Sequence, residues 1–162
     1  MRPAAHGGHH PMTQYWLMKS EPDEASIDDL VRLKRLPWTG VRNYQARNFM
    51  RDAMRVGDGV LFYHSSCPEP GIAGLAKIAS GTEPDPTQFD PGSPYFDPKS
   101  RPDAPRWLQL HVVLDRKTRL LPLAEMRDAP ELATMRVLQR GNRLSITPVT
   151  PEEWQAVLAL LG

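Results

Sequence analysis

Apolar positions along this chain fall into short continuous runs and helical stripes, punctuated by proline, glycine and acidic clusters. Tyr15-Trp16-Leu17-Met18 is an unbroken apolar run closed by Ser20-Glu21-Pro22, and it predicts a buried strand. Ser26 with Asp29 predicts an N-cap and an acidic first turn, and Ile27, Leu30, Val31 and Leu33 continue at helical spacing to a stop before Pro37. Pro37-Trp38-Thr39-Gly40 reads as a loop. Asn43 then caps a second helix with Ala46, Phe49, Met50, Ala53 and Met54 inward and Arg47, Arg51 and Arg55 outward. After the turn Gly57-Asp58-Gly59, Val60 to His64 predicts a strand, joined through Cys67-Pro68-Glu69-Pro70 to another over Gly71 to Ala79.

From Thr82 to Arg106 periodicity stops, and the stretch holds seven prolines. So long an irregular segment is either a linker or a functional loop. Phe89, Tyr95 and Phe96, with Trp107 just beyond, are too aromatic for a solvated tether, and proline lowers the cost of ordering a loop. The segment is expected to be packed and rigid. Trp107 to Leu114 alternates as a strand; Leu120 to Met126 and Pro130 to Met135 read as short helical pieces; Leu144-Ser145-Ile146 reads as a last strand. Thr150-Pro151-Glu152-Glu153 combines an N-cap, proline at the first helical position and a capping-box glutamate before a helix burying Trp154, Val157, Leu158 and Leu161. About five strands and three or more helices without βαβ rhythm predict an α+β fold around a small closed or nearly closed sheet.

Length and composition narrow the function. The 162 residues suit one domain, residues 12–162, and the leader at residues 1–11, MRPAAHGGHHP, has nothing that packs and reads as disordered or foreign to the fold. Twenty basic against nineteen acidic residues leave a formal charge of +1, which excludes a polycation but not a local basic patch. No run approaches the ~18 apolar residues that span a bilayer, so no membrane partner is expected. The single cysteine, Cys67, excludes an internal disulfide framework and fits a reducing compartment, cytoplasmic in a bacterium or nuclear in a eukaryote. Monomer is the expected state.

Catalytic signatures are missing: no Gly-rich phosphate loop, HExxH or GxSxG occurs, the aspartates lack metal-ligand spacing, and no cofactor is called for. Cys67 with His64 could form a nucleophile and base, but Pro68 and the hairpin favour an ordinary thiol. What remains is aromatics, small polar groups and positive charges near loops. Trp38 lies outside any apolar stripe and reads as a core lid more readily than as a ligand platform, since its area favours burial, and Lys19-Ser20 follows a buried strand, where site groups gather.

Three blocks carry a resemblance: Tyr15 to Pro22, Trp38-Thr39-Gly40-Val41-Arg42-Asn43-Tyr44-Gln45-Ala46-Arg47-Asn48, and Phe62 to Ser65. With Tyr95 to Lys99, Pro105-Arg106-Trp107 and Arg143-Leu144-Ser145, they strongly resemble the EVE domain over Tyr15 to Trp154. The resemblance implies a PUA-like fold, a small β-barrel flanked by helices, with a cleft for a modified nucleobase. A more distant similarity is to the YTH readers of N6-methyladenine, which share the Lys-Ser, tryptophan and asparagine positions; Glu21 departs from their amide. The reading is then a non-catalytic module that takes a modified base, a 5-substituted cytosine, from DNA or RNA. Trp38 is expected to stack on the base, with Tyr95 or Phe96 as the opposite wall, while Ser20, Thr39, Asn43 and Glu21 read its edge. Lys19, Arg42, Arg47, Lys99 and Arg106 are expected to hold phosphates. A small-molecule or protein-binding module, and an enzyme acting on the flipped base, are the alternatives.

Overall fold

The computed structural model of the chain describes residues 13–162, so the expected leader at residues 1–11 lies outside the described residues. Seven strands carry the fold: β1 (Tyr15–Ser20), β2 (Arg35–Trp38), β3 (Gly59–His64), β4 (Gly71–Ile78), β5 (Glu83–Pro84), β6 (Leu108–Pro122) and β7 (Ile146–Val149). Four helices accompany them: α1 (Ile27–Leu33), α2 (Tyr44–Asp52), α3 (Leu123–Arg127) and α4 (Pro151–Leu161). None is long and apolar enough to cross a membrane.

The sheet runs in the order β2-β6-β4-β3-β1-β7, with β5 added on β6. Only β1 and β3 run parallel; the other pairs are antiparallel. This is an α+β fold, but β2 and β7 are free ends, so the sheet is not closed by hydrogen bonds as expected. It also has seven strands rather than about five.

Both faces of the central strands are covered, which explains their unbroken apolar runs. Trp16, Met18, Val60 and Phe62 point into one core with Ile27, Leu30 and Met50 of α1 and α2. Leu17, Leu61 and Tyr63 point into the other with Met126 of α3 and Trp154 and Val157 of α4. The caps follow the sequence: Ser26 with Asp29 and Thr150 with Glu153 form capping boxes, and the Asn43 side chain accepts from the Gln45 and Ala46 amides.

Two further expectations need correction. Pro37-Trp38 is not loop but the end of β2, with Leu36 and Trp38 inward. Proline is tolerated there because β2 is an edge strand, where a missing donor goes unmissed. Leu120 and Leu121 are not helical either. Leu121 pairs with Ile72 and Pro122 with Gly71, so β6 runs 15 residues and the helix starts only at Leu123.

Candidate functional site

The parallel pair β1–β3 ends with Ser20 opposite His64, and the backbone there is tied to its neighbours. The Ser65 amide donates to the Ser20 carbonyl at 2.9 Å, and the Lys19 amide to the Ser145 carbonyl at 2.8 Å. Beyond this strand end opens a cleft of about 630 Å³. Its lining includes Lys19, Ser20 and Glu21 from the end of β1, Trp38 to Val41 from β2 and its exit, Ser65 and Ser66 from the hairpin, and Tyr95 from the proline-rich loop. Arg143 and Ser145 complete the rim.

Trp38 sits low in this cleft. Only 6% of it is exposed, and its ring meets Phe62 edge-on at 5.3 Å and 81°. In the same lining, Tyr95 stands against Gly40, whose φ is +81°; a Cβ on Gly40 would come within 2.8 Å of the ring. Glycine answers both demands, the left-handed backbone and the close approach.

Tyr95 is held from three sides. Its hydroxyl donates a very short hydrogen bond to Glu24, and its carbonyl accepts from Arg42 Nε at 3.0 Å and Nη2 at 2.7 Å. Burial, and then the bond to Glu24, push the Tyr95 phenol up to about 12. The other Arg42 donors reach Val41 O, Asp85 Oδ2 and Thr87 Oγ1. All five N–H groups of the guanidinium are thereby used inside the protein. Asp85, with 0% exposure, also accepts from the Gly40 and Thr87 amides and the Thr87 hydroxyl.

A second buried node sits behind this bracket. The Gln88 side chain donates to the carbonyls of Asp85 and Trp107 and accepts from the Ser100 hydroxyl and Trp107 amide. Trp107 Nε1 donates to Asp97, and that bond, with the Lys99 amide, holds the Asp97 carboxyl below its ordinary range. The proline-rich segment is therefore packed, by polar as much as apolar groups.

The cleft carries both signs of charge. Lys19 and Arg143 meet Glu21 and Glu24 along its lining, and burial lowers the Lys19 ammonium below its usual value. The Ser20 hydroxyl donates to the Ala25 carbonyl at 2.6 Å, so toward a ligand it offers lone pairs rather than its proton.

Of the residues singled out from the sequence, Lys19, Ser20, Glu21, Trp38, Thr39 and Tyr95 share the cleft. Asn43 does not line it; its side-chain oxygen is spent on the α2 cap. Phe96 lies outside the lining, 39% exposed. Arg42, expected to hold phosphate, has every donor committed to the fold and none left over for a ligand. Arg47, Lys99 and Arg106 lie outside the lining as well. Glu24 and Ser66 were missed, being ordinary loop polars in sequence, and Ser65, Arg143 and Ser145 were noted only within family blocks.

Relatives share this architecture over nearly its full length. The EVE domain model matches residues 14–160. Human thymocyte nuclear protein 1 is 44% identical over 169 residues, covering 92% of this chain and 74% of that one. A crystal structure of a protein from Pseudomonas putida is 51% identical with a TM-score of 0.87, covering 91% of this chain and 99% of that one. The human protein in complex with 5-methylcytosine-containing DNA is 44% identical with a TM-score of 0.85, covering 91% and 97%. The PUA-like α+β architecture is thus common to these proteins, and this chain belongs to the EVE domain family.

Proposed function

We propose that this protein binds DNA and reads a modified base, a 5-substituted cytosine, turned out of the helix into the cleft. The observation that carries the reading is that Trp38 and Tyr95 line one cleft edged with acceptors, in a chain similar to a human protein crystallised with 5-methylcytosine-containing DNA. Turning a base out costs a few kcal/mol, and stacking on an aromatic ring returns about 1–3. Trp38 is the platform and Tyr95 the facing wall. Ser20 and Glu21 accept from the 4-amino group, which distinguishes cytosine from a 5-methylated uracil, whose 4-position is a carbonyl. Thr39 and Lys19 complete the edge contacts, and Arg143 meets a phosphate at the rim.

The reading is one of binding without catalysis. His64, the candidate base beside Cys67, has its Nε2 occupied by the Ile27 amide at 3.1 Å, where it satisfies the first turn of α1. The test is a titration of otherwise identical duplexes carrying one cytosine, 5-methylcytosine or 5-hydroxymethylcytosine, with Trp38→Phe alongside. Preference for a modified duplex that Trp38→Phe diminishes is expected. Equal affinity for all three, or unchanged preference in folded Trp38→Ala, overturns the reading.

A further inference from the structure

We propose that the face formed by Tyr44, Arg47 and Arg106, next to the cleft but outside it, is a second nucleic-acid contact that holds the phosphodiester backbone flanking the base in the cleft. The proposal rests on the reading above for what occupies the cleft. Tyr44 and Arg47 are joined to the cleft wall by a continuous stack of aromatic rings and guanidinium groups. Arg42 Cζ lies 5.5 Å from the Tyr95 ring centre and 5.4 Å from that of Trp107. Trp107 stacks on Tyr44 at 4.7 Å and 28°, and Arg47 Cζ lies 4.7 Å from the Tyr44 ring centre. Tyr95 faces the cleft at one end, and at the other Arg47 covers Tyr44, which is 48% exposed.

A tyrosine fixed by stacking yet left half in water presents a rigid polar edge. Among the described residues the Tyr44 hydroxyl has no hydrogen-bond partner. Arg47 gives Nε and one Nη2 hydrogen to Asn48 Oδ1 and one Nη1 hydrogen to the Arg106 carbonyl. Three of its five N–H groups are spent and two remain, on a guanidinium that the other three hold in place. The contrast with Arg42, which has none left, separates a fold arginine from a ligand arginine on one short segment.

The Arg106 side chain has no partner among the described residues, and its own carbonyl places it beside Arg47. Two nearby carboxylates feel these charges, Arg106 helping to hold the Asp97 carboxyl low and Arg47 that of Asp52, but neither carboxylate bonds to either guanidinium among the described residues. Asp97 is taken by Trp107 Nε1 and the Lys99 amide, and Asp52 by Arg51. The face therefore keeps unspent donors on two guanidinium groups, which suits phosphate oxygens. Because Arg47 and Tyr44 are already ordered, little side-chain entropy is lost on contact.

Fluorescence anisotropy of two labelled duplexes, one with a central 5-methylcytosine and one with cytosine, is measured from 50 to 300 mM salt for the full chain. Arg47→Gln and Arg106→Gln are each expected to weaken both duplexes by the same factor and to flatten the salt dependence by about one unit of log K against log salt. Tyr44→Phe keeps the stack and loses only the hydroxyl, so it should weaken both duplexes about 2–10-fold at unchanged slope. Wild-type affinity and slope in all three variants overturn this face as a contact, whereas loss of preference in Trp38→Phe still supports the cleft. Loss of preference without loss of overall affinity in these variants also overturns it. Equal binding of the two duplexes by the unaltered protein defeats base reading alone, and the salt slopes still decide this face. Should Arg47→Gln melt early, Arg106→Gln decides, since its side chain forms no hydrogen bond to lose. Failure to bind either duplex overturns both proposals.

Discussion

Arg42 is the residue on which the sequence reading and the structure disagree most, and it can be tested directly. A surface arginine that only holds phosphate can be removed for about 0.5 kcal/mol of stability or less. Arg42 instead pairs with a carboxylate of zero exposure at 3.1 Å, its own side chain being 22% exposed. Removing one member of such a pair costs about 3–5 kcal/mol, because the other is left charged and buried. Asp85 keeps three other donors, from Gly40 and Thr87, which places Arg42→Ala toward the lower end. In a chain of 162 residues that corresponds to a fall of roughly 6–20 °C in melting temperature.

Arg42→Lys sharpens the test. An ammonium keeps the charge but has three donors on one nitrogen, whereas the arginine serves Val41 O, Asp85 Oδ2, Thr87 Oγ1 and Tyr95 O in a fixed fork. The lysine variant should therefore be destabilised too, by about half as much, and should bind the modified duplex less well because Tyr95 is less firmly held. Urea melts give the stability, and anisotropy at several salt concentrations gives the slope. An Arg42→Ala protein that melts within 2 °C of wild type (about 1 kcal/mol or less) but loses about one unit of salt slope would refute the bracket and restore the phosphate role.

Gly40→Ala should cost about 1–2 kcal/mol for the left-handed backbone alone, and the new Cβ must displace the Tyr95 ring; a melt together with loss of modified-base preference is the expected pair of results. Trp38→Ala should cost about 3–5 kcal/mol as a buried tryptophan, so its binding is to be measured well below its melting point. His64 should make stability acid-sensitive. Burial lowers its folded value, and Nε2 must stay unprotonated to accept from Ile27. Stability is therefore full above the unfolded value of about 6.5 and falls as pH drops below it toward the folded value. Urea midpoints at pH 7.5 and 5.5 should differ more in wild type than in His64→Gln, and an equal difference refutes the assignment.

The elements with one dominant local signal were legible. Apolar runs buried on two faces identify β1 and β3, and the capping residues Ser26, Asn43 and Thr150 place three helix starts correctly. Elements decided by tertiary pairing were not. Pro37-Trp38 carries a turn signal but sits in β2 because β6 supplies a partner on one side, and Leu120-Leu121 stays extended because β4 pairs with it. Sheet closure is likewise invisible in a strand count. At the site, the blocks around Lys19-Ser20, Trp38-Thr39 and Tyr95 do meet, but arginines of one segment divide by their partners, Asp85 and Tyr95 for Arg42 and Asn48 for Arg47. The partners of Arg42 lie 43 and 53 residues away, so no local pattern contains them.

The proline-rich loop shows how a wall for a base can be rigid without belonging to the sheet. Its prolines lower the entropy of the unfolded segment, but a preference for extended backbone does not choose one position for Tyr95. Arg42, Glu24 and Gly40 make that choice at the ring, and Gln88 fixes the loop behind them. Its amide faces two carbonyls with Nε2, at 2.7 and 2.8 Å, and two donors with Oε1, at 2.5 and 3.0 Å, joining Asp85, Ser100 and Trp107 in one buried node. Gln88→Glu keeps the shape and turns one donor group into an acceptor, so an oxygen would confront the Asp85 and Trp107 carbonyls. Those carbonyls keep only the Gln88 and Asp85 backbone amides as donors, at 3.4 and 3.0 Å, and with an oxygen set against both the expected cost is about 1–3 kcal/mol. A carboxyl in that node must stay protonated to donate even one bond, so the folded variant holds a proton that its unfolded chain gives up above about pH 4. The sign follows: relative to wild type, the variant is least destabilised below pH 4 and loses stability as pH rises. Urea melts of both proteins from pH 4 to 8 test this, and a constant difference across that range would show that Gln88 contributes packing rather than the donors that orient the wall.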